Sequence, residues 1–274
     1  MPRRAVLWIA AVLIAAYALL AIVRRPSNDR DWTADQRVLP YADFHGPLAT
    51  IHDIRLCSYR TVSDFSCSYY DKTFDLRRLE SVWFIVEPFG RSRGVAHTFV
   101  SYGFGGGDFV AISAEIRKER GESFSPWLGL VRQYELMYVV GDERDLIKLR
   151  SNYRHDPVFL YRARATPEAI RRMFVEMLER ANKLRREPEF YNTLTNNCTT
   201  NIAYHINTIV PGRVPFSVAL VFPGYSDRLA YRLGLIDHGL PFDTVRARAQ
   251  INARAAQFAD DPEFSERIRY PLVP

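Results

Sequence analysis

Several motifs that signal common chemistries are missing from this chain of 274 residues. There is no His-x-x-x-His, no Cys-x-x-Cys and no EF-hand loop, so no metal site is expected. No Gly-x-Gly-x-x-Gly opens a helix, and Gly103-Phe-Gly-Gly-Gly-Asp108 reads as a hairpin turn, so no cofactor is expected either. The absence of Gly-x-Ser-x-Gly removes the serine-hydrolase elbow. The net charge is +6, but the arginines are scattered and no basic-aromatic module accompanies them. A nucleic-acid partner is therefore not expected. Cysteine is scarce, at three residues, and only one long apolar run exists.

That run, residues 5–23, holds nineteen residues without a charge. As a helix it would extend roughly 28 Å, about one bilayer core. Arg3 and Arg4 precede it, and Arg24, Arg25 and Pro26 follow, with no small-x-small cleavage site before them. An uncleaved single-pass anchor in the inner (cytoplasmic) membrane is expected over residues 1–23. A polar linker over 24–44 and one extracytoplasmic domain over 45–270 follow from it. An odd number of cysteines in an oxidising compartment leaves one thiol free. Cys57 and Cys67, ten apart, either bridge a hairpin or simply fill the core.

β-Type runs dominate the first half: 48–60 and 65–76 around a turn near Ser63-Asp64, then 81–87, 95–102, 109–117, 133–140 and 158–162. A helix is predicted from Thr166, with Pro167 in its first turn and apolar Ile170, Met173, Phe174, Met177, Leu178, Ala181 and Leu184 on one face. Residues 244–258 read as another helix. The pattern is α+β.

The richest stretch is Tyr191-Asn-Thr-Leu-Thr-Asn-Asn-Cys198-Thr-Thr-Asn201. Ile202, Ile206, Ile209 and Val210 follow at helical spacing, so Cys198 falls in a first turn, where the positive end of the helix dipole favours a thiolate. Its neighbours are polar, which suits a nucleophile better than a core thiol. Such a nucleophile needs a base. His205 lies two helical turns on, too far for a direct bond, and is read as a packing or surface residue. His97 lies inside an apolar strand, as either the base or a satisfied core histidine. Pairing around the Gly105–Gly107 turn brings Ser113 or Glu115 near it, according to register. Glu115 is the candidate orienter of the ring, or an ordinary strand carboxylate. The Cys198 N–H is the natural oxyanion donor. Asn196 or Asn197 supplies a second, or caps the helix.

These residues resemble a known family. Ala96-His97-Thr98-Phe99 with Ser101-Tyr-Gly-Phe104, Ala111–Glu119, Tyr138–Ile147, Pro188–Ile202, Pro223-Gly-Tyr-Ser-Asp227 and Gly234-Leu-Ile-Asp237 are similar, in this order, to the Lnb N-terminal periplasmic domain family. The resemblance covers about residues 45–270. It implies a circularly permuted papain-like (NlpC-like) fold, with the histidine strand ahead of the cysteine helix and an antiparallel sheet. It also implies an extracytoplasmic thiol enzyme, since relatives remodel acyl chains on bacterial lipoproteins. The expected function is a membrane-anchored acyl hydrolase or acyltransferase acting through a thioester on a lipoprotein or lipid ester. A cell-wall peptide amidase or endopeptidase with the same Cys–His chemistry, or a non-catalytic anchored binding module, are the alternatives.

Overall fold

The computed structural model describes residues 22–90 and 92–269, together with positions 5, 7, 8, 11, 12, 15 and 17. Much of the expected anchor, residues 1–23, thus lies outside the described residues. Among those described, no helix is long and apolar enough to cross a membrane.

Eight strands form one sheet: β1 (Tyr41–His45), β2 (Leu48–Tyr59), β3 (Phe65–Asp75), β4 (Leu79–Pro88), β5 (Ala96–Phe104), β6 (Asp108–Arg117), β7 (Glu135–Gly141) and β8 (Phe159–Arg162). The order is β1-β2-β7-β6-β5-β4-β8, with β3 paired to β2. Neighbours are antiparallel except β2 and β7, which meet in parallel at Arg55 and Gly141. β2 serves β1 and β7 along one edge, beside β3 on the other, and it bends at Asp53, whose φ of 62° breaks the register between Ile51 and Ile54. Its first half pairs with β1 and its second half reaches β7.

Helices cover both faces. On one lie α2 (Pro167–Arg186) and α3 (Cys198–Ile209); on the other lie α1 (Glu143–Lys148), α7 (Asn252–Gln257) and α8 (Phe264–Arg267). Successive strand residues point to opposite faces. Val82, Phe84 and Val86 of β4 therefore join Phe174, Leu178 and Ile202, while Trp83 and Ile85 join Leu146, Ala255 and Phe264. Burial on both faces explains why the central strands read as unbroken apolar runs. The short helices α4 (Val218–Val221) and α5 (Ser226–Arg232) and the longer α6 (Phe242–Ala249) complete the chain.

Two expectations change. The single helix over 244–258 is two, α6 and α7. The break occurs because Ile251 N–H donates to Val158 O (3.0 Å) and Gln250 bridges Phe159, so the edge strand captures the backbone between them. The polar segment over 24–44 is bound to the domain rather than free. Trp32 is buried under the Arg117 guanidinium (4.2 Å), and Asn28 Nδ2 donates to the carbonyls of Leu184 and Arg185 (3.0 Å each).

Cys57 and Cys67 face each other across β2 and β3 and form a disulfide, which leaves Cys198 as the free cysteine. The same stretch of β2 is pinned to α1. Asp145 accepts from Arg55 Nε (2.8 Å), Arg55 Nη2 (3.1 Å), Tyr59 Oη (2.9 Å) and the Cys57 N–H (3.0 Å).

Candidate active site

Cys198 is the first residue of α3, and its position is set by Asn197. Asn197 Oδ1 accepts the N–H groups of Thr199 (2.8 Å) and Thr200 (2.9 Å), and Thr200 Oγ1 accepts the Asn197 N–H (2.7 Å). This is a complete capping box. Asn197 Nδ2 donates to Thr193 O (2.8 Å) and Leu220 O (2.9 Å), which ties the helix start to two loops. Thr199 Oγ1 pairs with Thr98 Oγ1 at 2.9 Å, so the residue after the cysteine meets the residue after His97. That pairing joins α3 to β5.

His97 Nε2 lies 2.7 Å from Ser113 Oγ, and Ser113 Oγ donates to Glu115 Oε1 (2.9 Å). With its O–H donated in a hydrogen bond to the carboxylate, the hydroxyl accepts from Nε2–H. The network thereby assigns the tautomer and leaves the lone pair on Nδ1. Register had left Ser113 and Glu115 as alternatives; the structure uses both, in series. Glu115 Oε1 is itself 3.6 Å from His97 Nε2.

Arg150 closes the chain of contacts. It lies in a π-helical turn, Leu149–Tyr153, that follows α1. Its Nη2 donates to Glu115 (2.9 Å), its Nε to Glu87 (2.6 Å) and its Nη1 to Leu146 O (2.7 Å). Glu87 is opposite His97 across β4 and β5 and also receives Arg154 (3.3 Å). Phe99 stacks on the His97 ring (5.6 Å, 21°) and carries the Arg150 guanidinium (4.8 Å). Burial alone would push the Glu115 carboxyl up, but Arg150, then His97 and Arg55, hold it well below the usual carboxylate range. Burial and then Arg150 push His97 down to about 3, against the pull of Glu115. The resting imidazole is neutral. Its side chain keeps 16 % of its exposure, enough to reach the adjoining cavity.

That cavity, of ≈ 460 Å³, is lined by Cys198, His97 and Glu115 together, although 101 positions separate the first two. Phe89, Phe124, Leu130, Leu194 and Phe222 make much of its wall apolar. Cys198 Sγ has its hydrogen-bond-type contact with Thr199 Oγ1 (3.8 Å) rather than with His97. Tyr191 also lines the cavity. Burial, and then the proximity of Cys198, push its hydroxyl pKa up. Among the described residues that hydroxyl has no hydrogen-bond partner.

Asn196 and Asn197, the candidate side-chain oxyanion donors, have their amide protons engaged elsewhere. Asn196 Nδ2 donates to Phe190 O (3.0 Å), and its oxygen accepts Asn201 Nδ2 (2.9 Å). Asn197 is the cap. The Cys198 N–H, by contrast, has no acceptor among the described residues. His205 is fully buried and packs, with Nε2 on Tyr138 Oη (2.8 Å). Sequence reading missed Arg150, Glu87 and Tyr191. Burial among apolar neighbours is a usable hint for Glu87 alone, a lone carboxylate ending the run Val82–Val86. No group of three or more His, Cys, Asp or Glu side chains able to hold a metal occurs among the described residues.

Residues 66–224 fit the family model described as the Lnb N-terminal periplasmic domain. No curated protein matches the chain, and no solved structure does.

Proposed function

The chain belongs to the Lnb N-terminal periplasmic domain family, and from that premise we propose a membrane-anchored thiol acyl enzyme of the cell envelope. The family description supports an extracytoplasmic domain. We further propose that residues 5–23 form its single-pass anchor in the inner membrane. The order of the parts, histidine strand before cysteine helix, supports a circularly permuted papain-like arrangement. The observation that carries the reading is the common cavity: Cys198 and a histidine oriented through Ser113 and Glu115 line one apolar-walled space.

The chemistry follows from the tautomer. His97 Nδ1 takes the thiol proton as Sγ attacks an ester carbonyl. The oxyanion is met by the Cys198 N–H, with Tyr191 Oη as the second donor. Collapse breaks the carbonyl–oxygen bond, and the imidazolium proton leaves with the alcohol. Water or an amine then attacks the thioester and regenerates the thiol. Glu115 stabilises the transient imidazolium through Ser113. The apolar wall favours an acyl chain, from a lipoprotein or lipid ester, over a cell-wall peptide.

Intact-mass spectrometry of the full chain incubated with a diacylated lipopeptide tests this. One acyl group on Cys198, released by hydroxylamine, is expected. It should be absent in Cys198→Ala and slower by at least about 10²-fold in His97→Ala. Unchanged acyl transfer in Cys198→Ala would sink the proposal. Turnover of purified peptidoglycan, with no lipopeptide adduct, would move the substrate to the cell wall.

A further inference from the structure

The mouth of the Cys198 cavity carries an apolar collar. Trp127 is 78 % exposed, Leu194 48 %, Phe222 47 % and Phe124 40 %, and all four also line the cavity. They come from three separate stretches of chain that are locked together. Thr193 Oγ1 donates to Pro126 O (2.7 Å), Asn197 Nδ2 to Leu220 O (2.9 Å) and Gly224 N–H to Gly94 O (3.1 Å). The collar is thus a preformed surface, with little ordering cost on docking. Exposed apolar patches of this kind mark contact surfaces.

The chain itself indicates what covers it. The uncharged run 5–23 ends at Val23, and the next residue is bonded to the domain: Arg24 Nη1 donates to Gln133 Oε1 (2.8 Å). The Ser27 N–H donates to Glu135 Oε1 (3.2 Å). Gln133 directly follows the collar loop, and its N–H donates to Leu128 O (3.3 Å). The point where the run meets the domain is therefore linked through Gln133 to Leu128, the residue after Trp127. Exposed Arg25 and Arg93, and Lys118 on the cavity wall, supply positive charge around the same region. Apolar and aromatic side chains with a basic surround suit the headgroup boundary of an anionic bilayer.

We propose that the collar seats the cavity mouth on the surface of the bilayer that receives residues 5–23, with Trp127 in the headgroup–acyl boundary. The inference rests on the anchor proposed above. It adds an orientation: an acyl chain passes from the bilayer to Cys198 without crossing water, and the substrate is membrane-resident.

The test uses the full chain with Cys198→Ser and Trp127→Cys, labelled with an NBD fluorophore. The bridged Cys57 and Cys67 are not labelled. The protein is reconstituted into phosphatidylethanolamine–phosphatidylglycerol vesicles and floated. A second label at Leu194→Cys probes another segment of the collar. A control at Asp260→Cys sits between α7 and α8, outside the cavity lining. Expected are flotation of every variant, a blue-shifted emission at 127 and 194, and quenching there by a lipid carrying a shallow nitroxide, with neither effect at 260. Flotation with labels at 127 and 194 that behave like the one at 260 overturns the collar and leaves the anchor standing. Failure to float removes the anchor and the collar with it. Shielding at 127 that depends on protein concentration, without lipid quenching, makes the collar a self-association face and also overturns the proposal.

Discussion

Arg150 donates to Glu115 at 2.9 Å while its other edge holds Glu87 at 2.6 Å, so one buried guanidinium fixes the carboxylate behind His97 and the one opposite it. Removing one partner of such a cluster strands the others in low dielectric. Arg150→Ala is expected to cost about 3–5 kcal/mol of stability. Arg150→Lys, which keeps the charge but not the fork, is expected to cost less. Urea unfolding of both variants checks this.

Ser113 and Glu115 act on His97 in series, so their losses should not add. Ser113→Ala and Glu115→Gln are each expected to lower the rate of Cys198 acylation on the order of 10²-fold. The double variant should be no worse than the worse single one. Additive losses would show independent roles. Substrate KM is expected to hold, because neither group needs to touch the acyl chain.

His97, at about 3, and His205, at about 4, sit below the unfolded histidine value. Above pH about 6.5 both folded and unfolded rings are neutral, and neither histidine adds any pH dependence. Below it the unfolded chain binds protons first, so stability falls with pH toward those folded values. Between about pH 6.5 and 5 ordinary carboxylates stay charged, and each histidine contributes a slope of up to about 1.4 kcal/mol per pH unit. Denaturant midpoints across that interval should fall, and should fall less steeply in His205→Gln. A flat profile would contradict the neutral burial of both rings.

Asn197→Ala removes the cap and strands the Thr193 and Leu220 carbonyls, with an expected loss of about 2 kcal/mol. Asn197→Asp keeps the cap acceptor but turns a buried carboxylate oxygen toward the Thr193 and Leu220 carbonyls, so a loss at least as large is expected. Faster alkylation of Cys198 by iodoacetamide in Asn197→Ala would report the loosened first turn.

The Cys57–Cys67 bridge closes a loop with a sequence separation of 10. The double variant Cys57→Ala, Cys67→Ala should lose about 2–3 kcal/mol. Thioester formation at Cys198 should persist, since the bridge lies outside the cavity wall. Loss of acylation in a folded double variant would show that β2 supports the site through Arg55 and Asp145.

Local signals determined a good deal. Thr166 and Pro167 mark the start of α2, the glycine turn sets the β5–β6 hairpin, and the Asn-Asn-Cys run puts Cys198 at a helix start, because caps and tight turns are decided within a few residues. The three-cysteine count left two readings for Cys57 and Cys67, since spacing cannot tell a bridge from core filling. Packing decided the rest. The break at Gln250 and Ile251 depends on an edge strand some 90 positions upstream. The docking of residues 24–40 depends on Arg117, Leu184 and Gln133. Arg150 carries no sequence signature, because its role exists only where a π-helical turn after α1 meets the ends of β4 and β6. A charge network is a property of distances between strands, and those distances are set by the tertiary fold.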